Sequence, residues 1–469
     1  MKVSKNFMIY LLVIIVMFIG AISPLFSYAS IVLAILIGLK LGEIAIKYPN
    51  CVHCKGILLL LVFQNFALGL GAHLNNNMES SLSLVTQIPF IIIAMEWIVL
   101  IVSKRRLISE SKKHRRIFYI LLVLILLSIL IGRGKLQAML INIRNLTVFF
   151  MSYEIALLNI TSKENFLKFE KFSFKLGVIV LIVGIILLMG GYGLYEIIGV
   201  KEVYVAKGSP LLNNKLDDRF TTSLVSHNFN RMGSLFYEPV NLGYFFSALT
   251  ISSFFSEWTF KRSKKNICFC LMLLGLVLSF GKGGYMVTIA AFGYVIMQRL
   301  FAFLRKKIGK KTLRNGLIGV VIIIVTCFSI YYYKNIGAAA SPHFWGIIQT
   351  WKSVVSRPYG YGLGTGGNAS LIYGSNNSWY ASGGETQLMS FIYQIGFQGG
   401  LVFAICVVMT KLSSKLNLKK GDEVFIVLPF ILLGMSLLQD NTFTPQCIVL
   451  FMFLQAGVKK AYCESNKGD

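Results

Sequence analysis

The sequence predicts an all-α polytopic membrane protein with about 14 transmembrane helices. Three observations lead there. Of 469 residues, 55% are hydrophobic and only 14% are charged. Apolar runs near the ~20 residues that cross a bilayer as a helix recur from end to end. The basic residues between those runs fall mostly on one side of the membrane once the runs are numbered. A soluble fold would need a core made from nearly the whole chain.

In chain order the predicted spans are 8–24, 29–47, 56–72, 84–103, 116–132, 140–160, 172–192, 238–256, 266–281, 284–302, 316–333, 386–410, 423–439 and 443–458. The first is not read as a removable signal peptide. Its end, Leu25-Phe-Ser-Tyr-Ala-Ser30, only loosely resembles a cleavage site, and another span follows at once. With the N-terminus inside, the inner loops hold Lys104-Arg-Arg106, Lys112-Lys-His-Arg-Arg116, Lys261-Arg-Ser-Lys-Lys265, Arg305-Lys-Lys307 and Lys419-Lys420. A missed span would put adjacent basic clusters on opposite faces, so an even count with both termini cytoplasmic follows. Two large loops then lie outside, at about 193–237 and 334–384. With no internal repeat and no low-complexity linker, residues 1–469 read as a single integral membrane domain.

The net charge of +27 does not mean nucleic acid, because the inner-loop bias accounts for it. Of the eight cysteines, Cys51 and Cys54 have a CxxC spacing around His53, but no second pair completes a zinc site. Neither large outer loop contains a cysteine, so disulfides do not hold them.

The second outer loop is the most informative stretch, since loops longer than about 15 residues are usually functional or disordered. Residues 342–355 predict a helix lying on the surface. Ser341 suits its cap and Pro342 its first turn. Phe344, Trp345, Ile348, Trp351, Val354 and Val355 recur at helical spacing, as an interfacial helix requires. Arg357-Pro358 stops the helix, and a glycine run follows through Gly367.

Seven charged residues on or near the outer face are candidates for chemistry: Arg144, Arg231, Glu238, Lys282, His343, Arg357 and Glu385. Each also has an ordinary structural role open to it. Lys282 could snorkel to headgroups from a tight turn. Glu238 and Glu385 could be helix N-terminal acids favoured by the macrodipole. His343 could be solvated, Arg231 could pair with Asp217 or Asp218, Arg357 could hold lipid phosphate, and Arg144 could be an ion-pair partner. Taken together they suit a diphosphate, because guanidinium grips phosphate oxygens bidentately. Glu238 or His343 could accept a proton from a sugar hydroxyl. The glycine run could bring backbone N–H groups to a phosphate, but it lacks the Lys-Ser/Thr of a nucleotide-binding loop.

Four pieces in order carry a family resemblance. They are Arg231-Met-Gly-Ser-Leu-Phe-Tyr-Glu-Pro-Val-Asn-Leu-Gly243, Leu278-Ser-Phe-Gly-Lys-Gly-Gly284, His343 with Trp351 and Arg357-Pro-Tyr-Gly-Tyr-Gly-Leu-Gly364, and Gly384-Glu-Thr386 through Gly396-Phe-Gln-Gly399. They resemble the O-antigen polymerase and ligase family, in particular the Wzy-type capsular and exopolysaccharide polymerases of Gram-positive bacteria. The motifs cover roughly residues 140–400. Lys282 departs from the pattern, standing where arginine is common, and it loses the bidentate fork.

The resemblance implies a GT-C-like, metal-independent glycosyltransferase of the cell membrane, needing no cofactor. It would move a growing glycan from undecaprenyl diphosphate to a lipid-linked repeat unit. Arg231 and Arg357 would neutralise the leaving diphosphate, Lys282 and Arg144 would assist, and Glu238 or His343 would be the base. Glu385 is a further candidate. Expected partners are the lipid-linked oligosaccharide, membrane lipid, a chain-length regulator and a flippase. The alternatives are a ligase of the same family and a flippase or transporter of lipid-linked oligosaccharides. Two arguments weigh against the transporter: no two-fold repeat is visible, and the polar residues are expected in outer loops rather than at mid-membrane.

Overall fold

A computed structural model describes residues 2–75, 81–103, 109–132, 134–206, 216–224, 227–255, 262–308, 341–372, 382–412 and 422–465. The predicted span 316–333 lies outside the described residues. The chain is mostly helical. In order the α-helices are α1 (Lys2–Ile22), α2 (Pro24–Lys47), α3 (Val52–Leu74), α4 (Ser81–Val85), α5 (Ile88–Val102), α6 (Ser109–Ile131), α7 (Leu136–Asn159), α8 (Lys163–Ile197), α9 (Val200–Ala206), α10 (Asp217–Phe220), α11 (Pro239–Phe255), α12 (Arg262–Ser279), α13 (Lys282–Ile308), α14 (Ser341–Ser356), α15 (Gly367–Ile372), α16 (Gln387–Val408), α17 (Val424–Met435) and α18 (Pro445–Ser465).

Among the described residues, seven helical stretches are long and apolar enough to cross a membrane. They are Pro24–Lys47, Val52–Leu74, Ser81–Val102, Lys112–Ile131, Lys163–Ile197, Lys282–Phe301 and Gln387–Val408. Phe7–Ile22 and Val424–Met435 are apolar but shorter. These lengths and compositions mark a membrane protein. The outward faces agree: Leu130 is 82% exposed and Met189 84%, surfaces that water would not tolerate in such number but hydrocarbon would. The all-α expectation needs one amendment, because Thr221–Leu224 and His227–Asn230 pair antiparallel within the first predicted outer loop.

Local chemistry sets several boundaries. Ser23 caps α2, its Oγ accepting from Phe26 N, with Pro24 in the first turn. Ser162 caps α8 in the same way. Pro89 has no N–H to give, so the helix breaks between α4 and α5 at Thr86–Gln87. α1 packs on α3, α2 on α5, α11 on α12 and α13, and α7 on α18.

Several polar side chains within these apolar helices are paired, which offsets the cost of burying them. The Tyr10 hydroxyl donates to Glu96 Oε1 at 2.6 Å and lies 2.9 Å from His53 Nδ1. The indole of Trp97 and the guanidinium of Arg115 both donate to Glu154, at 2.9 and 2.7 Å.

Most of the glycine run after Arg357 is docked on its neighbours by backbone hydrogen bonds. α16 is interrupted at Gly396 (φ 78, ψ 174), and the loop docks along that break. Tyr361 N donates to Tyr393 O at 2.9 Å, Gly362 N to Gln394 O at 3.0 Å, and Gly364 N to Gln394 Oε1 at 2.7 Å. Leu363 N donates to Ser128 O of α6, and Phe397 N to Pro358 O, each at 3.0 Å. The N–H groups of residues 360–364 and of Gly367 are therefore held by protein acceptors. Gly396 is required twice over. Its backbone lies in a region open almost only to glycine, and a Cβ there would stand 2.5 Å from Pro358 O.

Gly396→Ala is therefore expected to cost about 1–3 kcal/mol of stability. It should lower the melting midpoint of the detergent-solubilised protein, measured by size-exclusion chromatography after heating. An unchanged midpoint would mean that the loop does not depend on this break.

Candidate functional site

Segment 231–238 leaves the α-helical pattern and is fixed by hydrogen bonds to groups on α3, α8, α9 and α12 and to Ile198. Met232 N donates to Leu278 O, Gly233 N to the Tyr195 hydroxyl and Ser234 Oγ to Val180 O. Asn65 Nδ2 donates to Phe236 O, and the Tyr237 hydroxyl to Ile198 O at 2.6 Å. These bonds hold two non-glycine residues in the left-handed region, Ser234 (φ 47) and Tyr237 (φ 56). Strain of this kind, of order 1–3 kcal/mol per residue, persists only where surroundings impose it, and it clusters at functional sites. Its product is the placement of Glu238 at the head of α11. The Tyr204 hydroxyl, on α9, donates to Glu238 Oε2 and to Tyr237 O, each at 2.7 Å.

Glu238 lines a cavity of about 230 Å³ between α3, α4, α5, α7, α9, α11 and α18. Arg144 lines it too, donating from Nη1 to Gln87 Oε1 at 3.1 Å and from Nε to Asn145 Oδ1 at 3.0 Å. An amide chain lies along another wall: Asn241 Nδ2 donates to Gln446 Oε1 at 2.7 Å, and Gln64 Nε2 to Thr86 O at 2.6 Å, on the carbonyl the α4–α5 break frees. A second cavity of about 150 Å³ adjoins the first, and Arg144, Ile141, Asn441 and Thr444 line both. Its other walls carry Asn142, Asn368, Gln387, Asp440 and the glycines Gly366, Gly367 and Gly384.

The seven sequence candidates separate accordingly. Arg144 and Glu238 share the larger cavity. Arg231 is near enough to Glu238 to feel its charge, although burial pulls the Arg231 guanidinium below its ordinary pKa. Arg231 Nε is buried without a hydrogen-bond partner. Glu385 approaches Asp440 at the second cavity. Arg357 lines neither cavity; its guanidinium lies 5.2 Å from the ring centroids of both Tyr359 and Tyr361, and Tyr361 stacks on Tyr393 at 4.4 Å. Lys282 is exposed at the start of α13 and lines neither cavity. His343 lies in the first turn of α14, and its side chain is outside the described residues, as are those of Asp217 and Asp218.

Other site residues were not anticipated. Tyr204 gave no signal, because a tyrosine in an outer loop is unremarkable without its partner. Gln64, Asn65, Asn142, Asn145, Asn241 and Gln446 were visible as polar residues within apolar helices, each a pointer to a cavity. They add helix-borne polar residues to those expected in the outer loops. Asp440 lies in the short connection between α17 and α18, where its carboxylate Oδ2 accepts from Asn368 Nδ2. Burial, with Glu385 alongside, pushes its pKa up from 3.8 to about 6. The predicted surface helix α14 also faces differently. Gly346, Thr350 and Val354 turn inward, with Gly346 beside Gly383, and Trp345, Trp351 and Val355 turn out.

No protein-family model, curated protein or solved structure matches the chain.

Because the raised pKa of Asp440 disfavours its ionised form in the folded state, the folded protein loses stability as pH rises from about 4 to about 6 on its account. Below that window the group is protonated in both states and adds nothing unfavourable. Melting midpoints across the window should fall for the wild type and stay flatter for Asp440→Asn. Parallel curves would remove the assignment.

Proposed function

We propose that the chain is a metal-independent membrane glycosyltransferase of the Wzy type, a polysaccharide polymerase. It transfers a growing glycan from undecaprenyl diphosphate to a lipid-linked oligosaccharide repeat unit on the outer face of the cell membrane. The observation that carries this reading is the cavity in which Arg144 and a Tyr204-held Glu238 face the same space, with Arg231 close behind the carboxylate. Two guanidinium groups offset the charge that develops on a departing diphosphate, a large term in a water-poor site. Glu238, oriented by Tyr204, takes the proton of the attacking sugar hydroxyl. In this reading Arg144 and Arg231 carry the diphosphate. Arg357 and Lys282 act at a distance from it, and His343 and Glu385 remain candidates for acceptor contacts.

The proposed topology has 14 spans, both termini in the cytoplasm, outer loops at about 193–237 and 334–384, and a GT-C-like arrangement. A flippase and a chain-length regulator are the expected partners. A same-family ligase would use the same groups on another acceptor. A transporter of lipid-linked oligosaccharides is the second reading, favoured by one observation: span-borne amides, Gln64, Asn241 and Gln446, line the larger cavity.

Arg144→Ala and Glu238→Gln in the native host separate these readings. Surface and lipid-linked glycans are run on gels, with membrane levels of the protein checked by blot. A polymerase loses long glycan by at least about a hundredfold in both, with single repeat units remaining on lipid. Normal polymer from both variants rules the site out. Repeat units trapped on the inner leaflet identify a flippase.

A further inference from the structure

The smaller cavity has a property the diphosphate reading does not use. Gln387, only 3% exposed, lines it at the start of α16. Its Oε1 accepts from Phe443 N at 2.7 Å, which fixes the orientation of the amide. That leaves Nε2 buried with no hydrogen-bond partner. An unmet buried amide donor costs about 1–3 kcal/mol, and a bound acceptor removes that cost. Across the same space stands Asp440, an acceptor, bonded at Oδ2 to Asn368 Nδ2. Gly366 and Gly367 leave the wall between them without side chains.

Donor and acceptor thus line one cavity, and the paired acids disfavour an anion beside them. Asp440 and Glu385 would repel phosphate here, whereas Arg144 offers its charge on the shared wall. A hydroxyl both donates and accepts, so a polyhydroxyl ring satisfies Asp440 and Gln387 at once. A volume of about 150 Å³ corresponds to roughly five waters, near the size of one pyranose ring.

We infer that the smaller cavity is a binding site for a single neutral sugar ring, held through its hydroxyls by Asp440, Gln387 and Asn368. Binding rests on the cavity alone. That the ring is the terminal sugar of the acceptor rests on the transferase reading above.

The test uses the full chain purified into lipid nanodiscs. The probe is the sugar mixture released by acid hydrolysis of the host's own surface polysaccharide, and the readout is saturation-transfer NMR. Wild type should transfer saturation to the ring protons of at least one sugar. Gln387→Leu and Asp440→Asn should each weaken the signal about fivefold, as loss of one buried hydrogen bond implies. Lys40→Ala, at an exposed residue of α2 that pairs with Glu43 and does not line the cavity, should leave it unchanged. If Gln387→Leu does not fold, Asn368→Ala takes its place. No transfer from wild type overturns the inference, and so does equal transfer from the cavity variants. Loss of the signal on adding inorganic pyrophosphate also overturns it, since the cavity would then belong to the phosphate. The transferase reading fails separately, by normal polymer in the Arg144→Ala strain, whatever the NMR shows.

Discussion

Backbone that leaves the helical path inside an apolar protein must find its hydrogen-bond partners in the protein itself, because hydrocarbon offers none. Both cavities exist because this chain meets that requirement at two places. At Gly396 a broken helix gives up carbonyls and N–H groups, and the turn-rich stretch from Pro358 to Gly364 takes them. At Arg231–Glu238, hydroxyls and amides from Tyr195, Tyr237, Asn65 and Ser234 do the same work. Each irregular segment, once satisfied, delivers residues that a helix could not present. The first delivers Gly366, Gly367 and Asn368 to the smaller cavity. The second delivers Glu238 to the larger.

Arg144 joins the two. It rises from α7, a regular helix, and its amide contacts to Gln87 and Asn145 aim the guanidinium at the shared wall. A cation there lies between a carboxylate on each side, Glu238 and Asp440. Glu238 accepts a hydrogen bond from Tyr204, and Asp440 accepts one from Asn368.

The helices were legible because hydrophobic run length is a local property, and so was the stop at Arg357-Pro358. Glu238 and Arg144 were legible as charges where apolar sequence makes charge expensive. The role of the glycine run was not, since glycine spacing is the same whether N–H groups meet a ligand or a neighbouring helix; only Gly396, some 35 residues on, decides it. An arginine next to two tyrosines reads as a phosphate ligand or as a cation–π cage, and the geometry shows the cage. Asp440 was hidden in a short connection whose partners, Asn368 and Glu385, are distant in sequence.

α14 ends directly at the docked loop, with no slack between Ser356 and Pro358. Its outward Trp345, Trp351 and Val355 would seat at a lipid headgroup boundary, while Gly346, Thr350 and Val354 clamp it to the body of the protein. The helix and the docked loop are one continuous path, so whatever positions the outward tryptophans also positions the loop residues at the rim of the smaller cavity.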